Sequence, residues 1–477
     1  MAITWDQRSP AEQQRHQNVL LRQSVLQMAL GHVPYVRTKL ATLGLDARLF
    51  KGLEELDRFP LTMRRDILDL QRNPDGARAV ILRGTAEGVK RFSDRSVLRR
   101  VALARLFGGE DVQELAIEAA TRPIHMHLVD GPGGRIPVAY TRDDLDLLAR
   151  AGARLGQLVG VAREDRLLNL VPFAPTLSFW GIFYMAHGMG MSAVHGRTEG
   201  LDMARAVEAL DDARATAVAV TAEEAPGFAT AAREAKIDLS ELRVLVAVGR
   251  SLTSEERLET GEALAAAGAP LARIAAAYAP GEGHVLWGEC AVPAGRTETF
   301  GFHTFPDLEL LEVVSPETGE RQAEEAPGEI VVTPLGFRGG GVPRWRTGDL
   351  ALGGQTNKPC PNCGRSVPRV GPTVRRDAWQ HTVNLNGRTA LIDLRDAAAA
   401  AAERAADWQV ELLADGDAHA LFVYLASSDE PGPIIDLYED LARMRSPVSQ
   451  IILGSPEQLS ARQADAPGPW RRLVVRT

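Results

Sequence analysis

The sequence predicts an α/β protein in two unequal parts. A large N-terminal domain carries parallel strands plus a β element, and a small, mobile α+β domain follows. Three observations predict this. From about Ile124, short apolar runs alternate with amphipathic stretches, as in successive β-α-β units. Between Phe302 and Leu350 the helical period disappears, and turn residues such as Pro316-Glu317-Thr318-Gly319-Glu320 separate short runs suited to antiparallel strands. After Val370 strands and helices resume on a smaller scale. The boundary is expected near Arg376-Asp377, giving domains 1–374 and 375–477.

The first 120 residues should be mainly helical. Val19, Leu20, Val25, Leu26, Ala29 and Leu30 recur at helical spacing between Ala11 and Leu43, with Pro34 marking a break. Phe59-Pro60-Leu61-Thr62 then opens a helix through Ile67, with Thr62 as its N-cap. Strands are expected at His125 to Leu128, Arg166 to Val171, Ala217 to Val220, Val244 to Val248 and Leu271 to Ala277. Helices are expected at Arg142 to Leu158, Leu201 to Leu210, Ala222 to Ala235 and Ser254 to Ala267. The longest apolar stretch, Leu177 to Met191, is interrupted by Gly181, His187, Gly188 and Gly190, and reads as a buried strand or helix rather than a membrane span. The last part should contain strands near Thr382 to Leu385, Val410 to Leu413, Ala420 to Leu425 and Gln450 to Leu453, and helices at Leu394 to Ala406 and Ile434 to Arg443. Its alanine run favours helix over disorder.

Composition narrows the classes of function. The net charge of −8, with both signs interspersed, leaves no nucleic-acid footprint. The N-terminus, Met-Ala-Ile-Thr-Trp-Asp-Gln-Arg, lacks the regions of a signal peptide, so a cytoplasmic protein is expected. Lysine is scarce: Lys39, Lys51, Lys90, Lys236 and Lys358 are all there are.

The three cysteines suggest one metal. Cys360 and Cys363 form a Cys-x-x-Cys knuckle closed by Gly364, and Cys290 stands alone. With His303 they make a tetrahedral set for a structural zinc, His284 being the rival fourth ligand. The competing reading is a surface knuckle and a buried Cys290. No cysteine is left over for a disulfide framework.

Several motifs, in order along the chain, resemble the adenylate-forming superfamily and its phenylacetate-coenzyme A ligase branch. They are His32-Val33-Pro34-Tyr35, the run Leu53 to Thr62, Tyr140 to Leu145, Tyr278-Ala279-Pro280-Gly281-Glu282, Gly288-Glu289-Cys290, Trp345-Arg346-Thr347-Gly348-Asp349 and the cysteine knuckle. The resemblance implies activation of a carboxylic acid with MgATP to an acyl-adenylate, then transfer to coenzyme A or another acceptor such as an amine or carrier protein. It assigns Asp349 to the ribose hydroxyls, Glu282 to magnesium, and Tyr278 and Arg346 to the nucleotide site. It also aligns Gly131, Gly133, Gly134 and Arg135 with a phosphate loop, and puts the aromatics Phe173, Phe179 and Trp180 where an aryl acid would bind. Core packing is the alternative for those three rings. A homodimer is compatible with the resemblance.

The chain also departs from the family. The phosphate loop has lost its hydroxyls and gained Asp130 and Pro132, and Val248-Gly249-Arg250-Ser251-Leu252 replaces the adenine-side loop. No lysine follows Lys358, and Arg471 is the nearest cation to the place of the family's C-terminal catalytic lysine. Two readings therefore stand: an active ligase with altered phosphate handling, or a diverged, ATP-independent relative that binds a small molecule or a partner.

Overall fold

The computed structural model describes residues 6, 8–26, 28, 33–46, 49–71, 80, 95–132, 134–195, 203–280, 282–371, 374–375, 379–385, 388–415, 418–426, 432–443, 449–466 and 470–476. The expected boundary at Arg376-Asp377 lies outside these residues.

The helical start holds α1 (Pro10–Leu26), α2 (Pro34–Thr42), α3 (Arg64–Gln71) and α4 (Arg95–Thr121). Thr62 does not cap α3. Its hydroxyl donates to the Pro343 carbonyl at 2.9 Å, and its backbone bridges to Trp345. The Asp66 carboxylate instead accepts from Met63 N at 2.9 Å, so the cap comes from inside the first turn. The stretch α4 is two helices broken at Gly109, where φ is +77°, and was not foreseen as a separate element.

A hairpin follows, β1 (His125–Val129) with β2 (Ile136–Tyr140), registered His125 to Tyr140 and Val129 to Ile136. The main sheet then builds from β3 (Arg166–Asn169), β4 (Ser192–His195), β5 (Ala217–Thr221), β6 (Val244–Gly249) and β7 (Arg273–Tyr278), parallel in the order β4-β3-β5-β6-β7. Each crossover is helical: α5 (Arg142–Val159) precedes β3, and α6 (Leu177–Met189), α7 (Met203–Asp212), α8 (Ala225–Glu234) and α9 (Ser254–Ala266) link successive strands. Residues 244–248 of β6 are buried on both faces, which explains their unbroken apolar run. The ambiguous stretch after Leu177 is helix α6.

The sheet continues antiparallel beyond β7 through β8 (Trp287–Gly288), β10 (Phe302–His303), β15 (Arg369–Val370) and β14 (Gln355–Thr356), with β9 (Val292–Pro293) also on β7. A separate four-stranded sheet contains β11 (Glu309–Val314), β12 (Gly328–Pro334), β13 (Trp345–Ala351) and β16 (Val374–Arg375). This confirms the antiparallel element. The last part pairs β17 (Gln380–Leu385) with β18 (Arg388–Asp393), and orders β19 (Trp408–Asp415), β20 (Ala418–Ala426), β21 (Gln450–Gly454) and β22 (Leu473–Arg476) as β21-β20-β19-β22. Helices α10 (Leu394–Ala402), α11 (Gly432–Arg443) and α12 (Pro456–Ala464) belong to the same part. It is tied to the second sheet by buried charge. Glu329 of β12 accepts from Arg346 at 2.5 Å and from Arg395 of α10 at 2.6 Å. Burial opposes the charge on Glu329, but the two guanidinium groups hold its carboxyl below the usual range.

Helices α5 and α6 touch backbone to backbone. A Cβ at Gly188 would lie 2.0 Å from the Ala149 carbonyl oxygen, and one at Gly152 would lie 2.6 Å from Met185 N. Gly188→Leu should therefore lower the unfolding free energy by about 1–3 kcal/mol through overpacking. Urea denaturation measures this, and an unchanged midpoint and slope would contradict the close packing.

Candidate functional site

Strand β7 ends at Tyr278, at the carboxyl end of the parallel strands, where open α/β sheets place their ligands. The Tyr278 hydroxyl donates to the Asp349 carboxylate on β13, so one hydrogen bond joins the main sheet to the second sheet. Asp349 is buried, and its backbone N–H donates to Thr347 Oγ1 at 3.1 Å. Two of the residues singled out from sequence are thus brought together.

Four residues further on, Glu282 is held on both oxygens. Arg64 Nη1 donates to Oε1 at 2.6 Å and Trp345 Nε1 donates to Oε2 at 2.8 Å. Burial pushes the Glu282 carboxyl above its ordinary range in spite of these partners. Arg64 also reaches the turn of the β1–β2 hairpin. Its Nε donates to the Pro132 carbonyl at 3.2 Å, and its Nη2 donates to the carbonyls of Val129, at 2.8 Å, and Gly134.

This turn is the stretch aligned with a phosphate loop, and three of its carbonyls converge on a cation. An anion cradle presents N–H groups instead. Gly131 is explained by the same packing, since a Cβ there would lie 2.7 Å from the Arg64 guanidinium carbon. Gly134 has φ +143°, a conformation that excludes most side chains. Arg135 pairs with Asp130 at 2.7 Å on the surface. Gly133 and Gly281 lie outside the described residues.

The other predicted cations are engaged elsewhere. Arg346 is committed to Glu329 and the Pro316 carbonyl. Arg471 donates to the carbonyls of Ala464 and Ala466, at the end of α12. Arg250, on the adenine-side loop, is forked onto Glu256 at 2.8 Å and also meets Glu223. Its hydrogen bonds push the Glu256 carboxyl down to about 2.

The pocket aromatics do gather. Phe173, Phe179 and Trp180 form edge-to-face contacts with ring centroids 5.1–6.1 Å apart, although Phe173 remains largely exposed. Trp180 in turn meets His125 of β1 at 4.7 Å.

Cys290, His303, Cys360 and Cys363 form one cluster, with all four ligand atoms within 4.8 Å of one another. The Sγ atoms of Cys290 and Cys360 are 3.7 Å apart, and His303 Nε2 lies 3.3 Å from Cys363 Sγ. Tetrahedral ligands at about 2.3 Å from zinc would be separated by about 3.8 Å, so the donor set and its spacing fit that ion. His303 Nδ1 faces the Gly288 carbonyl at 3.3 Å, which leaves Nε2 toward the thiols. The rival His284 is not in the cluster. Its ring packs on Phe337 and Tyr140. The cluster spans β8, β10 and the loop between β14 and β15, along the antiparallel edge of the main sheet.

Comparison with known proteins finds similarity in sequence and in fold. Residues 145–337 match the family model of AMP-binding enzymes. A phenylacetate-coenzyme A ligase of Thermus thermophilus is 27% identical over 350 residues, covering 72% of this chain and 66% of that protein. Among solved structures, 2-hydroxyisobutyryl-CoA ligase in complex with 2-HIB-AMP and CoA is 19% identical, with a TM-score of 0.61 over 99% of this chain and 91% of that one. The same ligase in its postadenylation state gives 0.61 over 100% and 93%. The chain is thus similar to AMP-binding enzymes over residues 145–337, and its fold is that of the adenylate-forming ligases over nearly its whole length.

Arg64 escaped the sequence reading, because nothing links an Arg-Arg pair opening a helix to a turn 68 residues on. Arg64→Ala should cost about 3–5 kcal/mol by leaving Glu282 buried without its cation, and Glu282→Gln should recover part of that loss. A double-mutant cycle in urea tests this, and additive losses would show the pair to be absent in solution.

Proposed function

We propose that the protein activates a carboxylic acid, expected to be aromatic, with ATP, and passes the acyl group to coenzyme A or another acceptor. The carrying observation is the Tyr278–Asp349 hydrogen bond beside Glu282 at the end of β7. In this reading the Asp349 carboxylate accepts from the ribose hydroxyls, with Tyr278 fixing its position. Glu282 would supply an oxygen ligand for Mg²⁺ once an oxygen is freed from Arg64 or Trp345, and Arg64 is the cation nearest the hairpin turn aligned with the phosphate loop. The acid carboxylate attacks the α-phosphorus and pyrophosphate leaves. The acceptor then displaces AMP. The division into domains 1–374 and 375–477 belongs to this proposal, as does a cytoplasmic setting. Among the described residues no helix is long and apolar enough to cross a membrane.

The second reading, a diverged binding or partner subunit, is favoured by Arg64 itself. It occupies one oxygen of Glu282 and the carbonyls of the turn, and the sequence has no lysine after Lys358. Either reading retains Cys290, His303, Cys360 and Cys363 as a structural zinc site, whose ion would hold the β8, β10 and β14–β15 edge together and leave no open coordination position.

Pyrophosphate exchange with a panel of aryl and alkyl acids separates the readings. Exchange that falls by at least about 10²-fold in Asp349→Ala supports the ligase, and no binding of MgATP at millimolar concentration by calorimetry overturns it. For the metal, elemental analysis should find about one zinc per chain. The content should fall well below one in Cys363→Ser, with a lower melting temperature. A metal-free wild-type protein of unchanged stability would refute the site.

A further inference from the structure

The inner face of the β1–β2 hairpin carries polar atoms that the fold does not use. His125 and His127, two residues apart on β1, share that face with their register partners Tyr140 and Val138. The two imidazole centroids are 4.8 Å apart, and His127 lies 4.9 Å from the Tyr140 ring. Tyr140 lies 5.5 Å from His284, which approaches from the loop after β7. His127 is 1% exposed and His284 is 2% exposed. Both ring nitrogens of His127, and the Nε2 atoms of His125 and His284, have no hydrogen-bond partner among the described residues.

Buried polar atoms normally find partners, and each left without one costs about 1–3 kcal/mol. The groups around them explain why the cluster carries no charge. Burial pushes His127 down to about 3, with His125 and His284 adding to the effect, and pushes His284 down to about 4. Neutral imidazoles each offer one N–H donor and one lone pair. They suit a group that both donates and accepts, and they supply no counter-charge for a second carboxylate. A divalent ion is disfavoured by geometry, because among the described residues only the Cys290 cluster brings three or more such ligand atoms together.

One contact connects the imidazoles to the candidate acyl site, and one cavity adjoins them. The His125 ring touches Trp180, one of the gathered pocket aromatics. On its other side His284 lines a cavity of about 30 Å³ with Val138, Glu282 and Trp345, room for a hydroxyl-sized group between His284 and the Glu282 carboxylate's neighbours rather than among the aromatics.

We propose that His125, His127 and His284 form the specificity face of the acyl pocket, and that the acid it selects carries a neutral hydroxyl substituent. This rests on the ligase reading for the word acyl, while the binding face itself does not. The hydroxyl exchanges hydrogen bonds with the imidazoles, and the aromatic body of the acid lies against Trp180. A site built on polar atoms rejects a ligand that leaves them unpaired, which is how the plain acid is excluded.

Calorimetry on the full-length protein, with and without MgATP, would compare benzoate and phenylacetate with their monohydroxy derivatives. At least one hydroxylated acid should bind about tenfold tighter than its parent, and the advantage should shrink to within about threefold in His127→Phe and in His284→Phe. The melting temperature of His127→Phe should equal or exceed that of the wild type, since an unpartnered buried polar group has been removed. Should that variant fail to fold, His284→Phe and His125→Phe carry the same comparison. Equal binding of parent and derivative, no binding of either at millimolar concentration, or a preference that survives the substitutions overturns the proposal. So does a divalent metal, beyond the cysteine site, that is lost in His127→Phe. Pyrophosphate exchange run on the same acids keeps the two claims apart. Selective binding without exchange would remove the ligase and leave the specificity face, and exchange without selectivity would do the reverse.

Discussion

A carboxylate buried at the end of a parallel strand needs a cation, and the pairing of Glu282 with Arg64 answers that need. The neighbouring geometry depends on it. Arg64 opens α3, so the pairing brings the helical start of the chain to the end of β7. The remaining guanidinium donors then draw in the carbonyls of Val129, Pro132 and Gly134, which sets the shape of the hairpin turn. Trp345 takes the other Glu282 oxygen and bridges to Thr62, two residues before Arg64. Removing either partner would leave an uncompensated charge in a desolvated place, which is far more costly than the net worth of the pair.

Apolar burial builds the layers, while a few polar contacts decide how the layers meet. The parallel strands β5, β6 and β7 are buried by helices and need no specific contacts beyond their ladders. The second sheet, by contrast, is joined to the first by Tyr278 and Asp349, and to the last part of the chain by Glu329, Arg346 and Arg395. The Cys/His cluster lies along the antiparallel edge, where strands of only two residues provide little pairing of their own. Each junction involves residues far apart in sequence.

That distribution explains what could be read in advance. The alternation of strands and helices after Ile124 was legible because hydrophobic periodicity is local, and Leu394–Ala402 was legible because alanine favours helix. The gathering of Cys290, His303, Cys360 and Cys363 was legible because cysteine is rare and its spacing is specific. Thr62 misled because its hydroxyl finds a carbonyl 281 residues away rather than its own helix. Gly131 looked like a phosphate-loop glycine, and the contact that requires it is a side chain from another element. The histidines of β1 gave no signal, since alternate residues of a short strand read as ordinary packing until their unpartnered nitrogens are seen.

The β1–β2 hairpin carries the turn held by Arg64 at one end and the imidazole face along its strands. The two regions share a single two-stranded element only five residues deep. A ligand that drew the turn away from Arg64 would act on the same strand that bears His127, and a ligand seated on His127 would act on the strand that ends in the turn. Thermodynamic reciprocity makes these effects equal: whatever factor one ligand imposes on the affinity of the other is returned unchanged. Were both proposed ligands to bind, the hairpin would be the element through which each is felt by the other, and its stiffness would set the size of that factor.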